Sequence, residues 1–209
     1  MNNYEFTEQL DQSFKNLTYF FQELASFLKD CDRLMGEEGY TPFNGSTVAY
    51  EQSRSVTNPE SWFPAYLSRM YYLEERAEEN LDHLLFINIF LRYGSGGCRT
   101  IKMVDNVPLV VAGLIVPNTP RLFKTDIVWV TKSWFWVKEP KDNAIDKDLS
   151  EVRTLIPKKG EYEDSRFIKT FACPLEDIGG SEELRSKIIE ELLKITENVP
   201  EAKNSKGTA

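Results

Sequence analysis

Histidine is almost missing from this chain: among its 209 residues there is one, His83. That excludes metal sites built on several imidazoles and makes any Ser–His or Cys–His mechanism depend on a single side chain. His83 directly precedes an apolar run, the setting of a hydrogen-bonded structural histidine. Cysteine is nearly as scarce. Cys31, Cys98 and Cys173 are odd in number and far apart, without a CxxC or Cys/His ligand spacing, so neither a disulfide framework nor a structural zinc site is indicated. No GxSxG elbow is present. Gly94-Ser95-Gly96-Gly97 follows an apolar run but lacks the Lys-Ser/Thr ending of a phosphate-binding loop, so it reads as a tight turn. No apolar run approaches the roughly 18 residues a membrane span needs, and Met1 to Glu5 do not open a secretory signal. The expectation is a cytoplasmic protein with no membrane association, no bound metal and no cofactor.

What the chain does hold is 41% apolar and 12% aromatic residues, enough for a substantial core. Its length suits one domain, expected over 1–199, with a small polar tail over 200–209 that is expected to be disordered. The net charge of −8 opposes wholesale binding to polyanions, so no generic nucleic-acid binding is expected. Residues 99–141 run against this trend, with seven Lys and Arg to three Asp and Glu.

The organising stretch runs from His83 to Val137. Leu84 to Leu91, Leu109 to Val116 and Ile127 to Val137 are short runs rich in Ile, Val, Phe and Trp, separated by Gly, Pro and Asn. Such runs read as adjacent strands of one sheet. Val152 to Ile156 and Phe167 to Ala172 suggest two more. Consecutive strands with short turns favour antiparallel order.

Helices are expected on either side. From Thr7 to Met35, the residues Leu10, Phe14, Leu17, Phe21, Leu24, Leu28, Cys31 and Met35 alternate spacings of four and three, with Gly36 as a stop. The stripe, widened by Phe20, Phe27 and Leu34, is too aromatic for a solvent-exposed coiled coil. It is expected to bury against the chain's own sheet or a second helix, with Leu17, Phe21 and Leu24 deep in the core; the alternative is a face shared with a partner. A middle helix is expected from Asn58-Pro59-Glu60 through Leu73 and on to Asn80. A last helix, capped by Ser181, presents Leu184, Ile188, Ile189, Leu192 and Ile195 on one face. The fold class is therefore α+β: a mainly antiparallel sheet of four to six strands with a long N-terminal, a middle and a C-terminal helix.

Chemistry has few places to sit. Asp126, Glu139 and Lys141 bracket the third run, and two carboxylates with a lysine could serve a metal-dependent nuclease. Trp134 and Trp136 share strand parity with Lys132 and could stack on a base or anchor a partner protein, although a central buried strand would look the same. Arg69, among Tyr66, Tyr71 and Tyr72, could contact an anion or a partner, or lie over the rings. Two function classes follow. The first is a non-enzymatic interaction or regulatory domain, with a protein partner or a homo-oligomer as its target. The second is an enzyme or binding domain for a phosphate-containing or nucleic-acid ligand that uses the basic stretch.

Overall fold

A computed structural model describes residues 3–43, 45–50, 56–57, 62, 64, 66–76, 83–91, 107–117, 150–156 and 165–197. Helix α1 spans Asn3–Glu37. The strands are β1 (Tyr40–Pro42), β2 (Ala49–Tyr50), β3 (Tyr66–Leu73), β4 (Leu84–Phe90), β5 (Leu109–Pro117), β6 (Arg153–Leu155) and β7 (Ser165–Pro174). A last helix, α2, runs over residues 181–197, with a π-helical segment at Arg185–Ile189 between α-helical turns.

The sheet is antiparallel throughout, in the order β1-β3-β4-β5-β7-β6, with the two-residue β2 pairing to β3 beside that path. The expected α+β class is what the chain adopts. The first two runs of the organising stretch are β4 and β5, neighbours over seven paired positions from Leu84↔Ile115 to Phe90↔Leu109. The second neighbour of β5 is β7. The third run, 127–137, lies outside the described residues.

Strand alternation sorts the side chains. Leu67, Arg69, Tyr71, Leu85, Ile87, Ile89, Val110, Ala112, Leu114, Phe171 and Cys173 share one face by register. On it lie the C-terminal half of α1, through Cys31, Leu34 and Met35, and α2, through the five apolar residues the sequence picks out. Leu24 and Leu28 extend this packing over Leu67 and Ile89. The opposite face carries Met70, Phe86, Phe90, Ile115 and Ile168, all buried. Burial on both faces explains why β4 and β5 read as continuous apolar runs. On this second face Gly113 sits opposite Phe86, whose ring occupies the space where a glycine Cβ would be, 2.7 Å away. A side chain there would also meet the Lys169 carbonyl oxygen at 2.1 Å.

Four expectations need correction. The expected middle helix is a strand over Tyr66–Leu73, followed by a 3-10 turn at Glu74–Arg76. Apolar residues lie on both sides of this segment, so periods of 2 and 3.6 fit equally, and its three tyrosines favour the pleated surface. Next, α1 starts earlier than Thr7 and passes Gly36. It ends where Gly39 takes φ 81° and its N–H donates to the Gly36 carbonyl at 3.1 Å. Ser181 is the first helical residue rather than the cap, and its hydroxyl donates to Asp30 at 3.0 Å. Finally, of Leu17, Phe21 and Leu24 only Leu24 is buried; the other two are half-buried.

Candidate functional site

Of the residues singled out from sequence, Arg69 and His83 lie among the described residues, and His83, just before β4, is half-buried. Asp126, Lys132, Trp134, Trp136, Glu139 and Lys141 lie outside the described residues. Arg69 stands in the middle of β3, facing α1, and is 3% exposed. Its Nε donates to Asp32 Oδ1 at 3.0 Å, and its Nη2 pairs with Asp32 Oδ2. Its Nη1 donates to the carbonyls of Gly45, at 2.8 Å, and Thr47. The planar fork thus grips a carboxylate on one side and a turn on the other. Tyr71, two residues along the same strand face, donates its hydroxyl to Asp32 Oδ1 at 2.9 Å. Three elements (α1, β3 and the β1–β2 turn) are tied at one guanidinium.

Cys31 lies beside this knot. Its burial pushes the thiol well above its ordinary range, and the charges of Asp32 and Asp30 add to that push. Burial also raises the Tyr71 hydroxyl, assisted by Cys31 and Asp32. Both groups are neutral at physiological pH, so the cluster offers neither a thiolate nucleophile nor a phenolate base. Its chemistry is that of a clamp. Asp32 and Tyr71 escape a sequence reading because a helix would set Arg69 and Tyr71 about 200° apart, while a strand puts them side by side. Among the described residues no group of three or more His, Cys, Asp or Glu could hold a metal ion.

The second feature is the N-terminal half of α1. Its seam is the same one that is buried further along, yet Phe6, Leu10 and Phe14 are 52%, 45% and 61% exposed, and Phe20 is also exposed. Where the exposed part meets the domain, a groove of about 320 Å³ opens between α1 and the β7–α2 connection. It is lined by Phe20, Leu24, Phe27, Leu175 and Ile178, with Glu23 and Asp30 at its polar edge.

Compared with known protein families, with curated proteins and with solved structures, this chain matches none. Among the described residues no helix is long and apolar enough to cross a membrane.

Proposed function

We infer that this chain is a cytoplasmic, non-enzymatic protein-interaction or regulatory domain, acting through the N-terminal half of α1. The observation that carries this reading is the divided seam. One apolar stripe is buried at Leu24, Leu28, Cys31 and Met35 and left in solvent at Phe6, Leu10 and Phe14. A row of aromatic and aliphatic side chains at helical spacing is what a helix presents to a hydrophobic partner surface. The Arg69–Asp32 knot supports the reading from inside, because it fixes α1 to the sheet and so holds the projecting half in a defined direction. The test is recovery of the tagged protein from its native cells, wild type beside Phe14→Glu, with bound proteins identified. Partners that disappear with Phe14→Glu are expected; an unchanged set removes the support.

The excess of basic residues over 99–141 favours a second reading, a domain for a phosphate-containing or nucleic-acid ligand. Generic single- or double-stranded nucleic acid is expected not to bind at physiological salt, given the net charge of −8. Micromolar, salt-sensitive binding abolished by Lys132→Glu would put this reading first.

A further inference from the structure

We propose that the exposed half of α1 pairs antiparallel with α1 of a second copy of this chain, about a two-fold axis near residue 12. The proposal rests on the contact-surface reading and names the occupant of that surface.

The fold sets the direction of pairing. Along Leu24 to Met35 the seam is already covered by the chain's own sheet. A parallel partner helix would follow the seam straight into that sheet. An antiparallel one runs off past the N-terminus of α1 and places the two sheets at opposite ends, clear of each other.

The side chains then fall into register. In heptad terms Phe14 and Phe21 occupy a positions, and Leu10 and Leu17 occupy d positions; in an antiparallel pair a meets d. The axis near residue 12 sets Phe14 against the partner's Leu10, and Leu17 against the partner's Thr7. On one flank Phe6 meets the partner's Phe20 and Ser13 meets the partner's Ser13, with no charge among them. Phe20 lines the groove that also holds Leu24, Phe27 and Ile178, so the ring of Phe6 arrives at the mouth of an apolar recess. On the other flank the two Asp11 carboxylates approach, each already held by Lys15 of its own helix at 2.6 Å, which gives charges of alternating sign around the axis.

The area is sufficient. Phe6, Leu10, Phe14 and Phe20 are between 38% and 61% exposed. At roughly 200 Å² per large side chain they offer about 400 Å² of apolar surface per copy. With apolar atoms making up about 60% of an interface, the pair buries about 1,300 Å² in all, inside the range of specific complexes.

Sedimentation and light scattering of the full chain between about 1 and 100 µM test the pairing. The mass is expected to rise with concentration to twice that of the chain. Phe14→Glu is expected to hold it at one chain with an unchanged far-UV circular dichroism spectrum. In a Cys98→Ser background, Ser13→Cys should cross-link two copies on oxidation. Phe21→Cys should not, because in this arrangement the two positions lie about 27 Å apart along the helices. A monomer at about 100 µM overturns the proposal, as does a dimer indifferent to Phe14→Glu, or cross-linking at Phe21→Cys in place of Ser13→Cys. A monomer whose other protein partners are lost in Phe14→Glu would refute self-pairing and leave the contact-surface reading standing.

Discussion

Removing the carboxylate of Asp32 should harm this protein more than removing the arginine it binds. In Asp32→Ala the Arg69 guanidinium, 3% exposed in the native chain and held between the sheet and α1, is left with its Nε and one Nη without their acceptor, and the Tyr71 hydroxyl loses its partner too. Breaking a buried pair from one side typically costs about 3–5 kcal/mol. The Asp32 side chain is itself 30% exposed, so water reaches the vacated space and the expected loss falls to about 2–4 kcal/mol. In Arg69→Met the orphaned groups are Asp32 and the carbonyls of Gly45 and Thr47, which stand where water can serve them. That change should cost about 1–2 kcal/mol. The double variant then loses less than the sum of its parts, with a coupling of about 1.5–3 kcal/mol. Urea unfolding of the four proteins, followed by circular dichroism, measures all of these terms. An Asp32→Ala loss below about 1 kcal/mol, or additivity within about 0.5 kcal/mol, would mean that the knot does not hold α1 to the sheet.

The same unfolding assay at dilute protein separates the two halves of α1: Leu28→Ala should cost about 2–4 kcal/mol and Phe14→Ser less than about 0.5 kcal/mol. Equal losses would contradict the divided seam. Stability should fall as pH rises through 9, because the unfolded Cys31 thiol, with its ordinary value of 9.0, then releases a proton that the folded thiol keeps. The slope from this group approaches about 1.4 kcal/mol per pH unit and should vanish in Cys31→Ala, leaving the share of Cys173 and, towards pH 10, of Tyr71, both of which burial also raises. A slope unchanged by Cys31→Ala would refute the assignment. Gly113→Ala should destabilise by about 1–3 kcal/mol, since the added methyl meets the Lys169 carbonyl as well as the Phe86 ring. Full rescue by Phe86→Leu would show that the backbone contact is immaterial.

Much of the fold was legible because periodicity reports burial. The sequence locates β4, β5, β6, β7 and the apolar face of α2 through runs and spacings that the core demands. It misplaces β3, where both faces are covered and no period stands out. The extent of burial along α1 was not legible at all. Its 35 residues span about 52 Å, while β3, over which its buried half packs, has 8 residues and spans about 27 Å. A stripe of constant period continues past the edge of what it covers, and nothing in the spacing marks that edge. The Arg69–Asp32–Tyr71 knot was hidden for a related reason, since its members converge only once β3 is a strand.

The pairing of α1 with α2 also bears on how the chain is made. Asp30 accepts from Ser181, and Arg185 reaches Glu37 and Glu38, contacts that join residues about 150 positions apart. These surface links add little energy, but beneath them Cys31, Leu34 and Met35 share one cluster with Leu184, Ile188 and Leu192. Of the described helices, the one synthesised first therefore waits for the one synthesised last. Until α2 has been synthesised, the part of the apolar sheet face that it covers stays open to solvent. Closing contacts of such separation makes folding slow, and the nascent chain is exposed to aggregation for most of its synthesis.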